Sequence, residues 1–219
     1  MSSQQRNIRV TVAIVIGMIA LVVFAFVNRM TKPSFMTDSQ LQLNGAYVLP
    51  KPRVIKPFEL VDHNGQAFGL EQLQGKWTML FFGFTNCPDV CPATMSLLRQ
   101  LKILMGDVAE ADDLQIVMVS VDPARDTPLV LKPYVEYFDE SFVGLTGKFL
   151  DLQAFAANLN AAFYKVPGGG DNYQIDHTAN VVLINPFGHY HGFYKPQLDH
   201  VKMKITYRSI HATFKRLNN

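Results

Sequence analysis

The chain has 219 residues, 48% of them hydrophobic and 17% charged, a composition that excludes low-complexity and disordered classes and leaves ample apolar surface for a packed core. Of its 20 Lys plus Arg, the four at Arg6, Arg9, Arg29 and Lys32 precede Asp38, so 16 cations face all 18 Asp plus Glu from there onward. That slightly acidic balance, with no basic patch beyond a solvated face in 195–216, argues against a nucleic-acid partner.

The first element is Val10 to Val27, an unbroken run of 18 apolar and small residues, long enough to cross a bilayer. A cleaved signal peptide would also begin with basic residues, but NRMTKPSF after Val27 offers no small-x-small cleavage site. A run that is apolar all round beside a polar linker also fits a buried core helix poorly. Residues 1–30 are therefore read as a cytoplasmic N-terminus and an uncleaved single-pass anchor. Basic residues flank the run on both sides and give little contrast; with the N-terminus inside, the rest of the chain lies in the periplasm. The absence of an extended Arg- and Ser-rich amphipathic stretch favours a bacterial inner membrane. Residues 31–53, polar and turn-rich with scattered Pro, read as a linker to one globular domain spanning 54–219.

Within that domain, PFELVDHNGQAFGL predicts a β-hairpin turning at Asn64-Gly65, a pair that supplies positive φ angles. The continuous apolar run Trp77 to Phe84 predicts a central strand buried on both faces. From Cys91 to Met105 apolar residues recur at helical spacing, and Leu114 to Asp122 is the next buried strand, giving a parallel βαβ unit. Helices are expected over 128–138 and 150–159. VVLINPFGHYHGFY then predicts two strands joined at Pro186 to Gly188, before a last helix with Met203, Tyr207, Ile210, Phe214 and Leu217 on one face. The sum is an α/β sandwich on a central sheet.

The chain's only two cysteines, Cys87 and Cys91, lie in FFGFTNCPDVCPATM directly after the central strand. Placed around a helix start near Pro88 or Val90, one turn apart, both thiols face one side. Exposed N–H groups and the helix dipole there favour thiolate, the form that metal binding and disulfide exchange both use. Two thiolates make a poor closed metal site, and among six histidines His177 is the best third donor, because Asp176-His177-Thr178 immediately precedes a buried strand. Two thiolates with an imidazole suit copper, as Cu(I) or Cu(II), whereas zinc normally takes a fourth ligand. Met95 could offer a thioether, but a Met at helical spacing reads as core. His189 and His191, on one face of a strand beside a turn, read as solvent-exposed.

On GKWTMLFFGFTNCPDVCP from Gly75, VSVDPARDTP from Val119, and Asp176 to Thr178 before an apolar strand, the chain resembles the Sco/SenC family from Phe58 to the last helix. The resemblance implies a thioredoxin-like fold with an N-terminal β-hairpin extension, preceded by a single transmembrane helix. It implies copper ligation by Cys87, Cys91 and His177, and assigns Asp122, Pro123, Arg125 and Asp126 to shaping the loop after a strand. It further implies a metallochaperone rather than an enzyme, delivering copper or reducing equivalents to the binuclear copper site of cytochrome c oxidase subunit II. Other periplasmic copper chaperones or thiol reductants would be its further partners. Two features depart from the family pattern: Gly168 to Gly170 suggest a flexible loop before Tyr173, and Asn180 stands where an apolar strand residue is expected.

Other uses of the thiols stay open. A structural disulfide would close a small loop with little entropic benefit. A thiol-disulfide oxidoreductase would use Cys87 as attacking and Cys91 as resolving thiol, although three residues rather than two separate them. A peroxidase of the same superfamily would lack the expected Pro-x-x-x-Thr-x-x-Cys surroundings.

Overall fold

The computed structural model describes residues 3–31, 35–106, 109–168, 170 and 173–218. The start of the expected 1–30 segment, residues 1 and 2, and Gly169 of the expected flexible loop lie outside these residues. Helix α1 (Ser3–Thr31) contains the apolar stretch Arg9–Arg29, whose mean hydropathy is 3.0 and which is wholly exposed. At about 1.5 Å per residue it matches a hydrocarbon core roughly 30 Å thick. It is the one helix among the described residues long and apolar enough to cross a membrane.

The stretch expected as a linker is structured from Asp38 onward. Thr37 and Gln40 form a reciprocal capping box that starts α2 (Asp38–Leu43) and buries Leu41. Strand β1 (Ala46–Val54) then pairs antiparallel with the last strand of the main sheet. Pro50 and Pro52 obscured this strand in the sequence. They sit in the irregular part between the Val48 and Arg53 pairings, at a sheet edge, where the missing N–H costs no ladder bond.

The hairpin β2 (Leu60–Asp62) and β3 (Ala67–Phe68) forms as expected. Its turn differs: Gly65 takes φ +78°, while Asn64 is not among the residues with positive φ. Asp62 Oδ1 instead accepts the N–H groups of Asn64 and Gln66, both at 2.8 Å, so side-chain hydrogen bonding replaces one left-handed residue. The hairpin joins the sheet through β6 (Val143–Thr146), a short strand the sequence pattern did not single out.

The centre is built from β4 (Trp77–Gly83), every residue of which is buried, α3 (Val90–Met105) and β5 (Leu114–Ser120), with β4 and β5 parallel. Helices α4 (Pro128–Phe138) and α5 (Phe149–Asn158) flank β6. Strands β9 (Val181–Ile184) and β10 (His189–Tyr194) form the closing hairpin, and α6 (His200–Asn218) follows it. Asn180 falls just before β9, which removes the apparent misfit of a polar residue in a buried strand. The eight-stranded order is β1-β10-β9-β4-β5-β6-β2-β3. Within it the βαβ unit β4-α3-β5 and the ββα unit β9-β10-α6 make the expected thioredoxin-like α/β fold. A separate two-stranded ribbon, β7 (Phe163–Lys165) and β8 (Ile175–His177), lies outside the main sheet.

Register fixes the polarity of the molecule. Phe81 pairs with Val181 and Thr78 with Ile184, so the loop after β4 and the entry to β9 share one end of the sheet. The β9–β10 turn lies at the other.

Candidate metal centre

Cys87 follows β4 in a tight loop in which its N–H donates to Phe84 O at 3.2 Å. Helix α3 begins at Val90, with Asp89 at its N-cap position, so Cys91 lies in its first turn and Cys87 just outside it. The N–H of Cys91 donates to Cys87 Sγ at 3.4 Å, which orients one sulfur over the helix start. Cys87 is half-buried and Cys91 is 0% exposed.

His177 reaches the same place from the ribbon, paired with Phe163 at the end of β8. Its Nε2 lies 3.7 Å from Cys91 Sγ. Its Nδ1 is 3.3 Å from Thr178 O; donation to that carbonyl leaves the Nε2 lone pair facing the sulfurs. The edge of the imidazole meets the ring of Phe84, with centroids 6.1 Å apart. The two sulfurs and the imidazole nitrogen all lie within 4.8 Å of one another. Donors at about 2.3 Å (sulfur) and 2.0–2.1 Å (nitrogen) from a shared trigonal ion would stand roughly 3.8 Å apart. The chain therefore brings a two-sulfur, one-nitrogen donor set close to the spacing of a three-coordinate ion. Among the described residues this is the one such cluster of potential ligands.

Electrostatics corrects one expectation. The helix start was expected to lower the thiol pKa values, but burial pushes the Cys91 thiol well up. A hydrogen bond at Phe84 offsets this only in part, and neighbouring Cys87 and Asp126 push in the same direction as burial. Burial likewise holds the His177 imidazole below its usual range, against the opposing contributions of Thr178 and Asp176. Without a cation, the pocket favours a neutral thiol and a neutral imidazole. A bound cation supplies the charge that makes the thiolate favourable there.

The sequence reading placed Asp122, Arg125 and Asp126 in the loop after β5 and missed that this loop builds the cysteine loop. Asp126 is fully buried. It accepts Thr85 N–H at 3.0 Å, Thr85 Oγ1–H at 2.5 Å and Ser120 Oγ–H at 2.6 Å, tying the residue two before Cys87 to the end of β5. Asp122 is ion-paired with Arg125 and accepts the Tyr173 hydroxyl at 2.6 Å. The Arg125 guanidinium lies 3.8 Å from the Tyr173 ring centroid and donates to Tyr173 O at 3.1 Å. One loop thus braces both the cysteine segment and the segment leading into β8. The available signal was two aspartates at the exit of a strand that is otherwise apolar.

Gly83 completes the seat. A Cβ there would lie 2.5 Å from Phe81 Cζ and 3.0 Å from Cys91 Sγ, so only glycine lets β4 pass this close to the buried sulfur. Met95, as expected, is core. The histidines of the His-x-His pair depart from expectation. His191 is buried, edge-on to Trp77 at 5.0 Å, with Asn185 Nδ2 at 3.3 Å from its Nδ1. His189 is half-buried. Their end of β10 carries a register shift between Tyr190 and Gly192, and both lie at the end of the sheet remote from the cysteines.

Comparison with known proteins places this architecture. The SCO1/SenC family model matches residues 48–211. A Stutzerimonas stutzeri protein described as copper-binding is 41% identical over 172 residues, covering 77% of this chain and 83% of its own length. The structure of yeast Sco1 with copper bound superposes with a TM-score of 0.67 at 30% identity, covering 77% of this chain and 96% of that one. Arabidopsis thaliana ScoI with copper bound gives a TM-score of 0.67 at 29% identity, covering 72% and 99%. A family match over this span, reinforced by the shared fold, means that the chain belongs to the SCO1/SenC family.

Proposed function

We propose that this chain is a membrane-anchored copper-binding protein that holds one copper ion through Cys87, Cys91 and His177 and passes it on during assembly of the binuclear copper site of cytochrome c oxidase. The observation that carries the reading is the convergence of two sulfurs and one imidazole nitrogen within 4.8 Å, from segments 86 residues apart. Copper as cargo is supported by the soft donor set and by the copper-bound relatives of the same fold. A half-exposed Cys87 at the rim and a buried Cys91 behind it suit an ion that must both be held and leave. Helix α1 supports a single-pass anchor, with the globular part in the periplasm of a bacterial inner membrane. Subunit II of the oxidase is the recipient in this reading.

Anaerobic titration of the reduced full chain with Cu(I) tests it. One tight equivalent is expected, with loss of affinity in Cys87→Ala, Cys91→Ala and His177→Ala; unchanged affinity in these variants would refute the ligand assignment.

A second reading, delivery of reducing equivalents, is favoured by a partly exposed Cys87 standing one helical turn from a buried Cys91, whose N–H donates to Cys87 Sγ at 3.4 Å. Cys87 would attack a partner disulfide and release one partner thiolate. Cys91 would then displace the second, leaving the partner with two thiols and this chain with a Cys87–Cys91 disulfide. Trapping a mixed disulfide with Cys91→Ser, independent of copper, would favour it.

A further inference from the structure

At the end of the sheet remote from the cysteines, a cavity of about 570 Å³ opens between β1, the β9–β10 turn and the C-terminal half of α6. Its walls include Met36, Leu49 and Phe214, and its rim carries Val54, Phe187 and Leu217, exposed by 68%, 51% and 73%. Lys51 and Asp38 are charged residues on its lining. Just beyond, Lys215 and Arg216 are exposed, and the Arg216 guanidinium lies 4.5 Å from the ring centroid of the exposed Phe35. Aliphatic and aromatic side chains grouped in one concavity and flanked by cations match a bilayer interface. There, apolar groups enter the headgroup layer and Lys and Arg meet lipid phosphates.

The chain itself supplies the reason to choose a bilayer as the occupant. Three residues, 32–34, separate Thr31 at the end of α1 from Phe35. At 3.3–3.6 Å per residue the Cα atoms of Thr31 and Phe35 can be no more than about 14 Å apart. Met36 N–H donates to Ser209 Oγ at 2.7 Å and Arg216 covers Phe35, so the far end of this tether is pinned to α6 beside the cavity. We propose that this face, with Val54, Phe187, Leu217, Lys51 and Arg216 at its contact, docks on an anionic phospholipid surface, the same bilayer that α1 crosses. The proposal rests on reading α1 as a membrane anchor.

Docking there sets the direction of the metal centre. The start of α6 adjoins Asp89 and Val90 through Gln197 and Leu198, which line a common groove, whereas its other end forms the proposed contact. Nineteen residues of helix span about 28 Å at 1.5 Å per residue. Cys87, Cys91 and His177 are therefore held about that far from the docked face and point away from the lipid, presenting the cluster to a site that stands off the membrane.

The test inserts the full chain into nanodiscs of phosphatidylcholine and phosphatidylglycerol containing a gadolinium-chelating lipid, and measures amide line broadening by NMR. The amides of Leu49, Val54, Phe187 and Leu217 should broaden several-fold more than those of Val90, Cys91, His177 and Gln197. Phe187→Asp combined with Leu217→Asp should cut the contrast severalfold, to what the short tether alone imposes, while thiol titration of Cys87 and Cys91 stays as in the parent, which shows that the fold persists. Equal broadening over all these amides in the inserted parent would overturn the docking alone, leaving the anchor intact. Failure of the chain to enter nanodiscs would overturn the anchor reading and the docking with it. Protection of the same face in detergent, rising with protein concentration, would assign it to a second copy of the chain and overturn the lipid contact.

Discussion

Replacing Asp126 with alanine should loosen the cysteine loop without touching a sulfur. The carboxylate is fully buried and accepts three hydrogen bonds, two from Thr85 and one from Ser120. Hydrogen bonds to charged groups contribute about 1.5–3 kcal/mol each, and they are not additive within one cluster. The Ser120 hydroxyl can turn, since its oxygen already accepts Asp122 N–H at 3.0 Å, but the Thr85 N–H loses its acceptor. Asp126→Ala should therefore cost about 3–5 kcal/mol. Asp126→Asn should cost only about 1–2 kcal/mol, because its amide keeps one acceptor and can donate to a rotated Thr85 hydroxyl. Urea unfolding of the full chain in mild detergent, followed by fluorescence of Trp77, the sole tryptophan and 1% exposed, measures both with unchanged slope. Alkylation of Cys87 should accelerate in the alanine variant and much less in the asparagine one. Equal stability and equal alkylation rates in the two variants would refute the claim that this carboxylate positions the loop.

Three further outcomes follow from the same geometry. Burial holds His191 down at about 4, so between pH 6.5 and 4 the unfolded chain binds a proton that the folded chain refuses. Stability should be complete above about pH 7 and fall by roughly 3 kcal/mol as pH drops to 4; the urea midpoint should fall over this range in the parent and much less in His191→Phe, and equal falls would refute the assignment. In the reduced metal-free chain, iodoacetamide followed by mass spectrometry should label Cys87 well before Cys91, whose sulfur is buried and whose thiol is pushed up; equal rates would contradict the buried seat. Gly83→Ala should cost about 1–3 kcal/mol, as expected for overpacking, and weaken Cu(I) binding. Parent-like affinity would mean that β4 and Cys91 can separate freely despite the 3.0 Å approach.

The braced centre has a mechanical consequence. Two of the three proposed ligands sit on rigid supports: Cys91 is in the first turn of α3 beneath the fully buried β4, and His177 is in a ribbon joined to the β5 loop through Tyr173. Cys87 lies in the connecting loop, held at its base by Phe84 O and, through Thr85, by Asp126. Of the three it alone lies outside a helix or strand.

Much of this molecule was legible in linear order because its signals are local. Apolar runs mark β4, β5 and β9, helical spacing marks α3 and α6, and Gly65 marks the hairpin turn, since side-chain burial follows the backbone period of each element. The cysteine pair and the Asp176-His177-Thr178 segment could likewise be picked out as residue types suited to soft-metal chemistry. Strand β1 was hidden because its prolines are tolerated only at a sheet edge, and which strand lies at the edge is decided by pairing with β10, far away in sequence. The rise of the Cys91 thiol, the burial of His191 against Trp77, and the reach of Asp126 across 41 residues to Thr85 are likewise tertiary facts. Local sequence specifies which groups are present and which face of an element is apolar. Desolvation and long-range hydrogen bonding depend on what packs above each group, so only the assembled fold could decide that the two thiols and the imidazole share one pocket, and on what terms they do so.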